Sequence, residues 1–232
     1  MPQYYLIPKR VARAAPALGR TVQWLEARAF KAVFWILRRM SFRSASRLSA
    51  LLFSLAGRRS DKAAKARTNL KIAFPEKSDA EIEEIVHGIF RSLGLATAEL
   101  IKMPQIWEEW EQRTEFIVHP DSLQYLQEAR AGVYVSAHVG PWQMAMVPFI
   151  RGYFNDRPMA LVYAPESNAA LGEIMLELRS AMGVDAISSE AGLRPLLKAL
   201  NSGQSLALAV DTRLPTGKLI PFFGQDALTN IS

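Results

Sequence analysis

The sequence predicts an α/β fold, in which a mixed, mostly parallel sheet is flanked by helices and follows a helical N-terminal region. Two observations carry this prediction. In the second half, short apolar segments rich in β-branched residues alternate with helical segments, as is typical of βαβ units. In the first half, apolar residues recur at helical spacing. We therefore expect a helical region over 1–113 and an α/β core over 114–232.

The N-terminal region begins with a basic, proline-containing arm over residues 1–20. Helices are predicted over the next three stretches, roughly 21–38, 43–57 and 61–73. Ser78 or Asp79 begins a fourth helix, because glutamates in its first turn suit the positive end of the helix dipole. We expect this helix to continue to about Ile101 and Pro104 to prevent its extension.

Strands are predicted in the second half of the sequence at EFIVH, GVYVSAH, MALVYA, VDAISS and SLALAVD. The helices predicted between them are DSLQYLQEAR, Trp142 to Phe154, a segment ending near Met182, and GLRPLLKALNSG. Ligands of such sheets bind beyond the carboxyl ends of the strands. Two of these strand ends carry polar residues, His138 and Asp211, which we expect at that edge.

Charge is distributed unevenly along the chain. Residues 1–72 carry 16 Lys and Arg against 2 Asp and Glu, whereas the remaining 160 residues carry 12 basic and 20 acidic side chains. The local net charges are therefore +14 and −8, which give the +6 of the whole chain. This asymmetry predicts an anionic partner for the N-terminal third. No zinc spacing, basic zipper or aromatic RNA-binding motif is present, so we expect no nucleic acid.

Between Thr21 and Gly57, bulky apolar residues such as Trp24 and Phe34 are interleaved with arginines. No window approaches the ~20 uninterrupted apolar residues of a spanning helix, and no signal peptide is evident. Helices of this composition lie in the membrane interface. We therefore predict a membrane-associating N-terminal region that meets anionic lipids. The alternative is a soluble helical hairpin whose apolar faces belong to the core.

The chain has no cysteine, which excludes disulfides, thiolate metal sites and a cysteine nucleophile. Its three histidines, His87, His119 and His138, are far apart in sequence, so we expect no multi-histidine metal site. Among them His138 is the leading catalytic candidate, because it follows a strand and precedes a Gly140-Pro141 turn. A helix beginning near Trp142 would point backbone N–H groups at an oxyanion or phosphate there. The alternative is a strand-end histidine satisfied by backbone groups.

AHVGPWQ, around His138, resembles the His-x4-acid motif of the bacterial lipid A biosynthesis acyltransferases, a family of the lysophospholipid acyltransferase superfamily. Other segments are similar to further blocks of that family, in family order. These are ARTNLKIAFPEKSDAEIEEI with FRSLG and Glu99, LRSAMG around Arg179, LLKALNSGQSLALAVDTR, and IPFFGQDALT. The family usually continues further, so we expect this sequence to be truncated at its C-terminus and its core to be incomplete.

The resemblance implies an O-acyltransferase that moves a fatty acyl chain from an acyl carrier protein or coenzyme A thioester to a hydroxyl of a membrane glycolipid, a lipid A precursor. It implies a peripheral or monotopic location on the cytoplasmic face of the bacterial inner membrane. No metal or cofactor beyond the donor is expected. His138 would be the general base, and Arg179 would bind phosphate by a bidentate fork. Trp142 joins Arg179 as a substrate-binding candidate, with packing as its alternative.

The sequence departs from the family pattern at Gln143, where the family has Glu or Asp. An amide can orient the imidazole but cannot stabilise its charge, and the comparable change in a serine-protease triad costs about 10⁴ in turnover. The chain is then a weak or inactive homologue, or His138 works with little help, or Asp211 supplies the acid. We favour Asp211, although it could equally cap a turn. A distance too long for a hydrogen bond or one bridging water would exclude that pairing.

Two alternative functions stay open at this point. The first is an acyltransferase whose acceptor is another phospholipid, glycolipid or aminolipid, because nothing in the sequence identifies the acceptor. The second is a non-catalytic homologue that binds lipid or acyl carrier protein, as Gln143 suggests.

Overall fold

The computed structural model describes residues 14–115, 117–128, 130–140, 142–153, 158–166, 169–180, 182–211 and 217–229. Side chains are not described for residues 142, 143, 148, 153 and 169–171. Most of the predicted basic arm, residues 1–13, therefore lies outside the described part of the chain.

The described chain begins with helices. They are α1 Pro16–Arg39, α2 Phe42–Gly57, α3 Asp61–Ala73, α4 Asp79–Ile101, α5 Met103–Glu108, α6 Trp110–Arg113 and α7 Pro120–Gln127. The four helices predicted before Pro104 are confirmed. The first begins earlier than expected, at Pro16, since proline is well tolerated in the first turn of a helix. Pro104 likewise lies in the first turn of α5, after α4 has already ended.

Serine side chains define where three of these helices begin. Ser41 accepts a hydrogen bond from the Ser44 N–H at 3.2 Å, and Ser60 accepts one from Ala63 at 3.3 Å. At the start of α4, the Ser78 N–H donates to Glu81 at 2.9 Å, and the Glu81 N–H donates back to the Ser78 hydroxyl at 3.4 Å. These contacts satisfy N–H groups that a helix leaves unpaired at its first turn.

Up to the fourth strand the remaining elements alternate as the sequence predicts, and a hairpin that it did not predict follows them. They are β1 Val133–Ser136, α8 Trp142–Tyr153, β2 Met159–Tyr163, α9 Ala169–Ser180, β3 Asp185–Ser188, α10 Leu193–Asn201, β4 Ser205–Ala209, β5 Lys218–Phe222 and β6 Gln225–Thr229. The first four strands form a sheet in the order β1-β4-β2-β3, and β2 pairs in parallel with both β3 and β4. The last two strands form an antiparallel hairpin. The predicted α/β class with a mixed, mostly parallel sheet is confirmed.

The strand predicted at EFIVH is wrong for its described residues. Glu115 and residues 117–119 adopt no regular structure, and Ile117 is 82% exposed. A β-branched segment gains from a strand conformation only where its side chains are buried against neighbours. The chain then turns into α7, where the His119 imidazole accepts a hydrogen bond from the Asp121 N–H at 3.3 Å.

The chain groups into two compact units that interleave along the sequence. The first comprises Met1–Met40, Ile101–Tyr134 and Ala145–Leu208; the second comprises Ser41–Leu100, Val135–Met144 and Ala209–Ser232. One core cluster of the first unit contains Ala160, Ala199 and Leu206. A cluster of the second contains Ala63, Ile82, Val86 and Phe90. The domain boundary predicted near residue 113 stays a prediction.

Within the first unit, α1 packs against α9. Arg38 lies 3.3 Å from Glu177 and Lys31 lies 3.9 Å from Glu173. The C-terminus of α1 also receives the buried Lys102 side chain, whose ammonium donates to the carbonyls of Arg38 and Met40 at 2.7 and 2.5 Å. Burial lowers the pKa of Lys102, and the positive charge of Arg113 adds to this. Part of the basic N-terminal surface is thus used within the fold.

The outer face of α1 combines aromatic rings and cations. Trp24 and Trp35 are more than half exposed. The Arg28 and Arg39 guanidinium groups lie over these rings, 4.8 and 4.3 Å from the respective centroids. In the part of the chain that the structure describes, we find no helix with the length and apolarity that crossing a bilayer requires.

Candidate active site

His138 lies just beyond the carboxyl end of β1, as the sequence predicts. The Val210 N–H donates to the Ser136 carbonyl at 3.0 Å, so the chain segments that follow β1 and β4 leave the sheet side by side. Each segment then reaches a polar residue: His138 two residues after Ser136, and Asp211 directly after Val210. The pairing of these strand ends therefore brings together two residues that are 73 positions apart in sequence.

Asp211 holds His138 through both of its carboxylate oxygens. Oδ1 lies 2.7 Å from Nδ1 of the imidazole, and Oδ2 accepts a hydrogen bond from the His138 backbone N–H, also at 2.7 Å. The two side chains are 47% and 39% exposed, so the pair is open to solvent. The separation that would have excluded their pairing is not found. Their catalytic roles stay predictions.

The contact changes the acidity of Asp211. The hydrogen bond to the His138 ring is the main cause, and the hydrogen bond from the His138 backbone N–H is the second. Together they hold the pKa of this carboxyl below its ordinary range, because both bonds favour the ionised form. Asp211 is therefore a carboxylate at neutral pH. A carboxylate at Nδ1 favours the tautomer in which that nitrogen carries the proton and Nε2 carries the lone pair, an assignment inferred from the hydrogen bond.

Trp142 and Gln143, the two other candidate residues of the His138 motif, are described only in part. Trp142 is the first residue of α8, as predicted, and Gln143 follows it in the same turn. Their side chains lie outside the described part of the chain. The structure therefore leaves the predicted roles of Trp142 in substrate binding and of Gln143 at the usual acid position as predictions.

Arg179 lies near the C-terminal end of α9, in the first unit. Its guanidinium carbon stacks 4.9 Å from the centroid of the Tyr163 ring, at the end of β2. Burial lowers the pKa of Arg179, while Glu166 and Tyr163 oppose this shift. The group stays charged at neutral pH because the ordinary pKa of an arginine lies far above neutral. Its predicted role in phosphate binding stays a prediction.

Sequence reasoning missed Tyr163, whose ring supports the Arg179 side chain. It also missed the backbone N–H of His138 as a second partner for Asp211. No sequence signal marks either contact, because each depends on which strands are neighbours. Among the described residues, no group of three or more histidine and carboxylate side chains could hold a metal ion.

Comparison with known proteins identifies the family. A sequence profile described as "Bacterial lipid A biosynthesis acyltransferase" matches residues 12–232. The chain is 31% identical over 147 residues to the lipid A biosynthesis palmitoleoyltransferase of Escherichia coli (strain K12), and to the same extent to the lipid A biosynthesis acyltransferase of Shigella flexneri. Each match covers 63% of this chain and 46% of the relative, so the chain spans about half the length of the curated relatives it matches. The profile match over nearly all of the sequence shows that this chain belongs to the bacterial lipid A biosynthesis acyltransferase family.

Proposed function

We propose that this protein transfers a fatty acyl chain from a thioester of acyl carrier protein or coenzyme A to a hydroxyl of a membrane glycolipid, a lipid A precursor, with His138 as general base and Asp211 as its acid partner. The single observation that carries the proposal is the 2.7 Å contact between His138 Nδ1 and Asp211 Oδ1. It supplies a carboxylate to a histidine whose motif has an amide, Gln143, at the usual acid position.

The chemistry follows from this contact. Nε2 of His138 accepts the proton of the acceptor hydroxyl as its oxygen attacks the thioester carbonyl carbon. The imidazolium that forms is stabilised by the ionised Asp211, which also holds the ring in one orientation. When the tetrahedral intermediate collapses, the carbon–sulfur bond breaks and the leaving thiolate takes the proton back from His138. The products are an acyl ester of the acceptor and a free thiol, so no metal or further cofactor enters the balance.

The proposed site of action is the cytoplasmic face of the inner membrane, with the protein bound peripherally or monotopically. The exposed tryptophans of α1 and the arginines stacked on them support this location, since aromatic rings and snorkelling cations are favoured at the level of the lipid headgroups. Anionic lipids would then be the surface that the basic N-terminal third meets.

A second candidate function is a lipid-binding homologue with little or no transferase activity. The observation that favours it is Gln143, which removes the acid of the family motif. Under this alternative, the contact between Asp211 and His138 holds the strand ends together and has no catalytic part. Another phospholipid, glycolipid or aminolipid as acceptor is compatible with the same chemistry at His138.

The test is acyl transfer in detergent micelles, from labelled acyl thioesters to a lipid A precursor and, separately, to a lysophospholipid. The wild type is compared with His138→Ala, Asp211→Asn and Gln143→Glu. His119→Ala is the matched control, because His119 caps α7 and takes no part in the candidate site. We expect loss of transfer in His138→Ala and, by analogy with the protease triad, a decrease of about 10⁴ in Asp211→Asn.

The possible outcomes separate the functions. Transfer by Asp211→Asn at the rate of the wild type contradicts the proposed role of Asp211. Transfer that appears only in Gln143→Glu indicates an active site that lost its acid. If no variant transfers to either acceptor while the chain still binds lipid, the lipid-binding homologue is the better description. Transfer to the lysophospholipid alone changes the acceptor and leaves the mechanism intact.

A further inference from the structure

The second unit contains a groove that the proposed active site does not use. It lies between α2 and α4 and encloses about 560 Å³. The two helices run antiparallel and very close: a Cβ built on Gly94 would come within 2.6 Å of the Ser49 carbonyl oxygen. This close approach brings side chains of both helices to the same opening.

Four basic side chains line the groove in two pairs. Arg43 and Arg47 are four residues apart on α2, and His87 and Arg91 are four residues apart on α4. Residues at this spacing lie on the same face of a helix, where like charges repel each other. All four side chains are exposed. The groove therefore concentrates positive charge on two facing helix surfaces.

The arginines of the groove have no anionic partner within the described chain. Arg43, Arg47 and Arg91 make no hydrogen bond and no ion pair with any residue that the structure describes. In the same unit, Arg67 forms two hydrogen bonds with the Glu83 carboxylate. Unpaired guanidinium groups around one cavity fit a ligand with several acceptor oxygens, and a phosphate offers more of these than a carboxylate, so it can accept from several arginines at once.

One acidic residue, Glu99, also lines the groove. Burial raises the pKa of this carboxyl, which favours its neutral form. Its Oε2 is buried and has no hydrogen-bond partner among the described residues. In the protonated form Glu99 can donate to an oxygen of a ligand, so its presence is compatible with an anion in the groove.

The surface around the groove is apolar. Leu51 lines the groove and is 54% exposed, and Leu52, Leu55, Ile89 and Leu93 are exposed on the same two helices. Neither free phosphate nor the polar surface of an acidic protein would remove this apolar area from water. A bilayer supplies phosphate to the arginines and covers the apolar side chains at the same time, because its phosphate groups lie directly above the acyl chains.

We propose that the groove between α2 and α4 binds the phosphate of an anionic phospholipid in the membrane surface, with Arg43, Arg47 and Arg91 as its ligands and the neighbouring leucines in contact with the acyl region. The inference rests on the proposed membrane location and is independent of the chemistry at His138. It gives the second unit its own lipid contact, separate from the aromatic face of α1.

The test is co-sedimentation of the full chain with phosphatidylcholine vesicles that contain phosphatidylglycerol. Arg47→Gln/Arg91→Gln is compared with Lys62→Gln/Lys65→Gln, which removes the same charge from exposed positions of α3 outside the groove. We expect the groove variant to bind about tenfold more weakly than this control, since a basic residue contributes severalfold to binding only within a screening length of the anionic surface, where the groove arginines would lie and the two lysines of α3 would not. Arg43→Gln/Arg47→Gln gives a second groove variant, and equal melting temperatures show that the variants are folded.

Three results would overturn the proposal. The first is an equal loss in the groove and control variants, which would indicate unspecific attraction. The second is the same weakening of the groove variant, relative to the control, on vesicles in which oleate replaces phosphatidylglycerol at matched surface charge. A carboxylate would then bind the groove as well as phosphate does. The third is unchanged vesicle binding together with lost binding to acyl carrier protein, which would make the groove a protein-docking site. Since no acyl transfer is measured, failure of the proposed enzyme activity leaves this test intact.

Discussion

At the scale of single residues, the contact between Asp211 and His138 is the feature on which the proposed chemistry depends. A carboxylate that binds both the ring and the backbone N–H of the same histidine restricts the imidazole in position and orientation. The family motif assigns the acid to the turn after the histidine, and here Gln143 occupies that place. The acid can come instead from the segment after β4, the strand beside β1, because the two strands end at the same edge of the sheet.

The acidity of Asp211 is testable by ¹³C NMR titration of its carboxyl group. We expect the pKa of Asp211 to rise in His138→Ala towards the ordinary value of about 3.9. The rise should be incomplete, since the N–H of residue 138 remains a donor. Because the pKa of Asp211 is lowered in the folded state, its ionised form stabilises the fold. This contribution is fully present at a pH above the pKa of the unfolded state, about 3.9, and is lost as the pH falls through the pKa of the folded state.

His119→Ala serves as the control for this titration, because it leaves the contact between residues 138 and 211 in place. An Asp211 pKa that stays low in His138→Ala would show that other groups lower it. The acid partner would then be coupled to His138 less strongly than its geometry indicates.

At the scale of elements, the close packing of α2 against α4 depends on Gly94, and Gly88 in the same helix provides a comparison. At Gly94, an added Cβ would meet backbone atoms, with the Ser49 carbonyl oxygen at 2.6 Å and the Ala50 Cα at 2.7 Å. At Gly88, in the same helix, an added Cβ would meet nothing within 4 Å. The two positions therefore separate the effect of packing from the effect of helix propensity.

We predict opposite changes in stability for the two glycines. Gly94→Ala should lower the free energy of unfolding by about 1–3 kcal/mol, because backbone atoms cannot give way without separating the helices. Gly88→Ala should raise it by about 0.5–1 kcal/mol, since alanine loses less backbone entropy in a helix. Urea unfolding followed by circular dichroism measures both. Changes of the same sign would contradict the close approach at Gly94.

At the scale of the whole molecule, the uneven charge is the property with the clearest consequence. The N-terminal 72 residues have a local charge of +14, and within the first unit α1 uses Lys31 and Arg38 in exposed ion pairs with α9. Exposed pairs of this kind contribute only about 0–1 kcal/mol each to stability. Arg67 and Lys71 form ion pairs in the second unit. The remaining basic residues of 14–72 form none within the described chain, so most of the positive charge of this stretch is available to an anionic surface.

Vesicle binding of the whole chain should accordingly weaken as salt is added. The screening length falls from about 10 Å at 0.1 M to about 3 Å at 1 M salt, so the electrostatic part of the binding is lost over this range. Any binding that survives at high salt reports the burial of apolar side chains such as Trp24 and Trp35. Flotation assays across a salt series measure both parts. Binding to anionic vesicles that does not change with salt would contradict an electrostatic role for the N-terminal third.

The sequence by itself determined the elements and their class. Capping serines, proline positions and apolar periodicity act over a few residues, so they predicted four N-terminal helices, the alternation of strands and helices, and the place of His138 and Asp211 at strand ends. The predicted strand EFIVH failed because its local pattern says nothing about whether a neighbouring strand is there to cover it. The family motifs identified the chain because their order along the sequence is itself a linear property.

Only the tertiary structure decided which distant residues meet. The strand order β1-β4-β2-β3 makes His138 and Asp211 neighbours, and the close approach of α2 to α4 at Gly94 gathers Arg43, Arg47 and Arg91 around one groove. The strand-end positions of His138 and Asp211 made their pairing an expectation, but no periodicity or spacing encodes which strands or helices are neighbours. These contacts follow from how sheet edges pair and helix faces pack, which is settled by burial and hydrogen bonding over the whole chain rather than by any local run of residues.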